Sequence, residues 1–122
     1  MTIADAISAV DTRKPNAYSQ YEKIQWLNQI DWMIQKEIVN AHEDGDDSFV
    51  GYYADTPIDT ELLAEQPYDS LYISWLESRI DYVNGEIAKY NNSNAVFATE
   101  FAAYSNYYNR THIPTGEKLR YF

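Results

Sequence analysis

Residues 73–108 read ISWLESRIDYVNGEIAKYNNSNAVFATEFAAYSNYY, and this stretch decides the fold. Mostly apolar and aromatic residues recur along it at steps of three and four: Ile73, Leu76, Ile80, Val83, Ile87, Tyr90, Asn94, Phe97, Phe101, Tyr104 and Tyr108. Such a heptad stripe is typical of a helix that buries one face. Gly85 and Asn91–Asn94 are poor helix formers, but the phase continues through both. We therefore predict one long helix over Ser70–Asn109, within residues 69–110, with Asn91–Asn94 as the place where it would bend.

A helix of that length would run about 60 Å at 1.5 Å per residue. A chain of 122 residues and 14.2 kDa cannot bury it alone, so we expect part of the stripe to meet another chain. The length allows one domain, residues 1–122, and the composition is that of a globular protein.

Two further helices precede the stripe. Thr2 can cap a short helix to Val10 within an N-terminal arm, residues 1–18. Ser19 and Glu22 form a capping box that opens a helix over residues 19–41. Residues 42–68 have no helical period and predict a long acidic loop, and residues 111–122 predict an extended tail. The sequence therefore indicates an all-α fold with a long C-terminal helix.

The net charge of −10 comes from one segment of the chain. The segment from Glu37 to Glu77, with both ends included, has eleven acidic residues and no Lys or Arg. A sequence-independent nucleic-acid binder needs basic residues to displace counterions, so this distribution disfavours one. An acidic wall along which DNA slides without binding remains compatible with it.

No motif for catalysis or cofactor binding is recognisable, and we expect neither an enzyme nor a cofactor. The chain has no Cys, no glycine cluster and no Gly-x-Ser-x-Gly elbow, which removes thiolate chemistry, phosphate loops and that hydrolase class. The acidic residues of 43–47 lack the spacing of a calcium loop, so a solvated loop tip is the better interpretation than a metal site. No apolar run is long enough to span a membrane, and we expect a soluble protein.

Aromatic side chains are the strongest candidates for contacts with other chains, because Tyr and Trp suit surfaces that become buried on assembly. The run 104–110 is rich in Tyr, and either core packing or a subunit interface would explain it. The basic and then aromatic end of the chain, Lys118–Phe122, predicts an arm for a neighbour. The candidate interaction residues are Phe49, Tyr52, Tyr53, Tyr104, Tyr108, Leu119, Tyr121 and Phe122.

Several segments between Tyr18 and His112 share a distinctive polar and aromatic composition: Lys23–Asp31, His42-Glu43, Asp59–Leu63, Pro67–Tyr72, Trp75–Glu77, Ile80–Ile87, Tyr90–Ser93 and Tyr107–His112. In these segments the chain resembles the small head–tail connector (adaptor) proteins of tailed bacteriophages and prophages. The resemblance implies a virion protein of the neck, assembled in the host cytoplasm. It implies a homo-oligomeric ring beneath the dodecameric portal, with the portal on one side and a stopper or tail protein on the other, and a passage for DNA.

Two other hypotheses stay open. A tail-completion or neck protein would contact the tail tube rather than the portal. An acidic regulator would present the carboxylates of residues 43–65 as a mimic of nucleic-acid phosphates, and would work as a monomer or dimer on a basic partner.

Overall fold

The computed structural model describes residues 1–113 and confirms an all-α fold with a long C-terminal helix. Four α-helices form it: α1 (Ile3–Arg13), α2 (Gln20–Glu37), α3 (Leu71–Val83) and α4 (Ile87–Thr111). Short 3-10 turns cover Val39–Ala41 and Tyr68–Ser70. Within residues 1–113 no strand forms, and the aromatic stretch 48–53 has no regular secondary structure. The predicted tail, from Pro114 onward, lies outside the described residues.

The first two helices begin at the predicted caps. Thr2 and Ser19 each accept a hydrogen bond from the backbone N–H three residues later, at 3.1 Å in both helices. The side chains of Asp5 and Glu22 return to the cap residues, which completes two capping boxes. The helices end at Arg13 and Glu37, so α1 is longer and α2 shorter than their hydrophobic patterns predict.

The prediction of one helix over Ser70–Asn109 is wrong. The chain turns back at residues 84–86, and α3 and α4 form an antiparallel hairpin. Gly85 has φ of +73°, in the left-handed region that interrupts a helix and favours glycine. Asn91–Asn94 lies inside α4. The heptad stripe did not reveal the turn because both helices direct the same stripe towards the core.

The core is centred on α3, which contacts each of the other three helices. Leu71, Leu76 and Ile80 are fully buried in it, among side chains of α1 and α2. Trp75 packs against Phe97 of α4 at 5.0 Å between ring centroids and donates its indole N–H to the carbonyl of Trp26 at 2.7 Å. The sequence stripe is therefore buried mainly within the chain, and Val83 and Ile87 at the hairpin turn are its exposed members.

Hydrogen bonds hold the loop of residues 42–67 against α1 and α2. The N–H groups of Ile3 and Ala4 donate to the carbonyls of Thr60 and Ile58, so the loop satisfies the first turn of α1. Asn28 of α2 accepts the N–H of Tyr52 at 2.9 Å. These contacts fix an irregular segment that the sequence pattern alone left without structure.

Candidate functional site

A cleft of about 450 Å³ lies between the C-terminal end of α2, the acidic loop and the C-terminal half of α4. We call it the acidic cleft. Three carboxylates face it, from Asp44, Asp46 and Glu65, and none of its lining residues is basic. Its other walls are mainly apolar and aromatic, and they come from Gln35, Val39, Ser48, Phe49, Leu63, Tyr104 and Tyr108.

A tight turn after α2 places the carboxylates of the cleft. Gly45 passes so close to Val39 that an added Cβ would lie 2.1 Å from the carbonyl oxygen of Val39, which only glycine avoids. The buried amide of Gln35 donates to the carbonyl of Asp46 at 2.9 Å. The carboxylate of Asp46 accepts the N–H of Ser48 at 2.9 Å, which holds the pKa of Asp46 below its usual value.

Aromatic rings pack on both sides of the cleft. The ring of Phe49 packs edge-to-face on Trp32 and on Tyr52, with ring centroids 4.8 and 5.1 Å apart. On the opposite side the ring of Tyr108 stacks on His112, with ring centroids 3.7 Å apart, and packs edge-to-face with His42 at 4.8 Å between centroids. The walls are therefore mainly aromatic, and the three carboxylates supply the charge of the cleft.

Tyr104 and Tyr108 line the cleft, and both residues are more than nine-tenths buried. Burial raises the pKa of both groups, and the negative charges of Asp44, Glu65 and Asp46 raise that of Tyr108 further. Both hydroxyls are therefore protonated near neutral pH.

A second polar cluster is closed and structural. Asp31 of α2 is fully buried, and its carboxylate accepts from the hydroxyls of Tyr52 and Tyr72 at 2.5 and 2.6 Å and from the N–H of Leu63 at 3.1 Å. Burial raises the pKa of Asp31 to about 6, although these hydrogen bonds oppose the change. The cluster joins α2, the loop and α3, and no cation balances its charge among the described residues.

The sequence did not single out Asp31 as a site residue, but a signal exists. Asp31 lies four residues after Leu27 and three before Ile34, so it shares the apolar face of α2. An acidic residue in that register is expensive to bury alone and indicates a polar cluster inside the core.

The predicted interaction residues are divided between the core and the surface. Tyr52, Tyr104 and Tyr108 are buried within the chain, so one chain already covers these three predicted interaction residues. Phe49 is half-buried, and Tyr53 is 57 % exposed on the loop. Leu119, Tyr121 and Phe122 lie outside the described residues. The hydroxyl of Tyr52 donates to Asp31, and Tyr104 and Tyr108 line the acidic cleft beside the loop.

The outward face of α4 is the other notable surface. Between Asn91 and Asn109 it carries small or uncharged exposed side chains: Asn91, Asn92, Ala95, Val96, Ala98, Thr99, Ala102, Ala103, Asn106 and Asn109. The one charged residue of this stretch, Glu100, turns towards α3, where Ser70 and Ser74 donate their hydroxyls to it. Tyr82, Val83 and Ile87 are exposed at the hairpin turn, where the exposed side chains of Glu86 and Lys89 form an ion pair.

Among residues 1–113 no group of three potential metal ligands comes together, and no helix there is long and apolar enough to cross a membrane. No protein-family model, no curated protein and no solved structure matches this chain.

Proposed function

We propose that the chain is a structural subunit of a bacteriophage neck, a head–tail connector. In this role copies of the chain form a ring under the portal and bind a stopper or tail protein on the opposite side. The role of the chain is structural, in assembly, and we assign it no catalytic residue or cofactor. The observation that carries the proposal is the uncharged outward face of α4, because nothing among the described residues packs against this face.

That face runs about 28 Å along α4 at 1.5 Å per residue. Small side chains such as Ala98 and Ala102 let a second helix approach closely, and burying them costs little side-chain entropy. Val96 and Ile87 are 54 % and 63 % exposed and would lose that exposure on packing. Apolar area removed from water contributes about 25 cal/mol per Å², so burial of this face would stabilise an oligomer.

The acidic loop supports the second part of the proposal, a passage for DNA. Its carboxylates are mostly exposed, and the segment between Glu37 and Glu77 has no Lys or Arg. A surface of one sign repels phosphates and leaves the genome free to move. The repulsion between neighbouring copies would be least if these loops lay apart on the ring.

Charge inserted into the α4 face tests the proposal. We would compare the wild-type chain with the double variant Ala98→Glu/Ala102→Glu, measuring mass in solution by light scattering, alone and after mixing with a portal ring. Ser8→Glu/Thr12→Glu is the matched control, because both residues are exposed, lie on α1 and have the same spacing.

The proposal predicts a ring, alone or on the portal, for the wild type and the control, and loss of that ring for the α4 variant. A monomer or dimer that ignores the portal would overturn it. If the ring instead binds only the tail tube, the chain is a tail-completion protein.

A second candidate function, an acidic regulator that mimics nucleic acid, is favoured by the same exposed carboxylates of the loop. It predicts a monomer or dimer that binds a basic protein and loses that binding in high salt, since exposed charges are screened. The mass measurement therefore separates the two functions.

A further inference from the structure

We propose that Arg79, which lies among three aromatic rings, is the docking point for the acidic tip of the loop in a second copy of this chain. The acidic tip is the turn of residues 43–47, and it has four carboxylates: Glu43, Asp44, Asp46 and Asp47. The inference rests on the part of the proposed function in which copies of the chain assemble, and it names the residues that join them.

Arg79 is a cation that its own chain leaves without a carboxylate. Among residues 1–113 the basic side chains that form no ion pair are those of Lys36, Arg79 and Arg110. Lys36 and Arg110 are exposed to water, whereas Arg79 is half-buried. The Nε atom of Arg79 is buried and has no hydrogen-bond partner in the described part of the chain. Because buried donors are generally paired, this donor indicates a guanidinium whose acceptor is not supplied by residues 1–113.

Three aromatic rings hold the guanidinium of Arg79. Its Cζ atom lies 4.4 Å from the ring centroid of Trp75, 5.3 Å from that of Tyr82 and 5.7 Å from that of Tyr90. All three distances are in the cation–π range of up to about 6 Å. The faces of the rings attract the positive charge, but the N–H groups in the plane of the guanidinium need oxygen acceptors, and a carboxylate binds two of them at once. The rings therefore orient Arg79 for a carboxylate.

The acidic tip has the opposite charge and also lacks a partner. Its four carboxylates are exposed, and none of them forms an ion pair within residues 1–113. The N–H of Glu43 donates to the carbonyl of Ile113 at 2.9 Å, and Gly45 lies close against Val39, so the turn is already ordered. An ordered turn loses less conformational entropy when it binds. Pairing of the tip would also reduce the repulsion between copies of net charge −10, and it leaves the carboxylates of residues 55–65 free.

Arg79 and the acidic tip lie at opposite ends of α4. Arg79 lies beside Tyr90 in the first turn of α4, whereas Asp44 and Asp46 line the acidic cleft with Tyr108 in the last turn. The segment from Tyr90 to Tyr108 runs about 27 Å along the helix at 1.5 Å per residue. An ion pair needs its charged atoms within about 4 Å, so Arg79 does not reach the tip of its own chain. The contact therefore joins two different surfaces of neighbouring copies, and heterologous contacts of this kind close into rings when the rotation between copies allows it.

An exchange of charges between two variants tests the contact. Arg79→Glu places like charges together and should weaken association at least about tenfold, and Asp44→Lys/Asp47→Lys should do the same. In an equal mixture of the two variants every contact again joins opposite charges, so the assembly should return. Lys36→Glu is the matched control, because Lys36 also lies over an aromatic ring, that of Trp32 at 5.6 Å, and should associate as the wild type does. Light scattering over a range of concentrations gives the mass, and circular dichroism shows that each variant is folded.

Zero-length carbodiimide cross-linking locates the contact, because it joins only an amine and a carboxylate that already touch. Arg79→Lys keeps the positive charge and supplies the amine, and full-length chains with this change are mixed in equal amounts with and without a heavy nitrogen label. We expect the amine at position 79 to be joined to a carboxylate of residues 43–47, in products that combine one labelled and one unlabelled peptide. Lys14 and Asp81, 2.5 Å apart in one chain, are the internal control and should give products of a single label.

The contact and the proposed function fail on different results. An assembled species in which the amine at position 79 forms no cross-link, links only outside residues 43–47, or gives only products of a single label would overturn the contact and leave the ring in place. Retained assembly of Arg79→Glu, or a mixture of the two charge variants that stays dissociated, would also overturn the contact. A cross-link to a portal or tail protein would overturn it by making that protein the occupant. A wild-type chain that forms no assembly, alone or with the portal, would overturn the proposed function and the contact together.

Discussion

Helices α2 and α4 belong to the same all-α fold but use their surfaces differently. α2 has 18 residues and buries seven of them, including the polar side chains of Lys23, Asp31 and Gln35. α4 has 25 residues and buries three, all aromatic: Phe97, Tyr104 and Tyr108. The longer helix therefore contributes less to the core.

The difference indicates which helix has all of its contacts within one chain. Every buried polar group of α2 has a partner, for example Lys23, which contacts Asp11 at 2.7 Å. The outward face of α4 has neither core contacts nor the charges that usually mark a permanent water-facing surface. We infer that α2 makes all of its contacts within one chain, whereas the outward face of α4 packs against another chain.

The largest effect on stability is expected in α2, from Asp31→Ala. The change leaves the hydroxyls of Tyr52 and Tyr72 and the N–H of Leu63 buried without their acceptor, at roughly 1–3 kcal/mol each. We expect a loss of about 4 kcal/mol or more in the free energy of unfolding, measured by urea denaturation. Asp31→Asn keeps one acceptor oxygen and should lose less stability. Equal stability of both variants and the wild type would show that the Asp31 cluster does not stabilise the fold.

Stability should also depend on pH through Asp31. Its pKa is about 6 in the folded chain and 3.8 in the unfolded reference, so the folded state holds the proton more tightly. The contribution to stability is therefore complete below pH 4 and is lost as pH rises through 6, by on the order of 3 kcal/mol. The difference in unfolding free energy between wild type and Asp31→Asn, followed from pH 4 to 7, should change over that window. A difference independent of pH would contradict the raised pKa.

Neighbouring residues of α4 offer the next comparison. Phe97 is 7 % exposed and packs on Trp75, whereas Val96 is 54 % exposed. Phe97→Ala should cost about 3 kcal/mol, the lower end for a buried Phe. Val96→Ala should cost under about 0.5 kcal/mol, as expected for a surface change. Thermal unfolding of the dilute chain measures both, and similar costs would break the distinction between the two faces of α4.

The smallest effect is expected at the hairpin turn. Gly85→Ala forces a Cβ into the left-handed region at φ of +73°, although the added atom meets nothing within 4 Å. The cost is therefore only that of the backbone, about 1 kcal/mol. Gly85→Asn should cost less, because Asn tolerates this conformation better. An unchanged or raised stability of Gly85→Ala would favour a helix that continues through residue 85.

The sequence predicted the parts of the fold that depend on local chemistry. Ser19 and Glu22 located the start of α2 because a capping box is a contact within one turn. The apolar stripe correctly marked Leu76, Ile80, Phe97 and Tyr104 as inward-facing. It could not give the connection at Gly85, since a hairpin and a continuous helix bury the same stripe.

The acidic cleft was harder to predict because its parts are distant in sequence. Asp44, Glu65 and Tyr108 meet only because the hairpin returns the end of α4 to the loop. Composition identified the acidic segment and the Tyr-rich run separately, but nothing local predicts that one lines the other.

The central claim, that the outward face of α4 is covered on assembly, is tested most directly by hydroxyl-radical footprinting of the chain over a range of concentrations, with and without the portal. Ile87 and Val96 report on the face, and Tyr21 of α2, which is 55 % exposed, is the internal control. We predict that modification of Ile87 and Val96 falls severalfold when the larger species forms, while that of Tyr21 stays constant. Unchanged modification of Ile87 and Val96 in an assembled ring would contradict the claim.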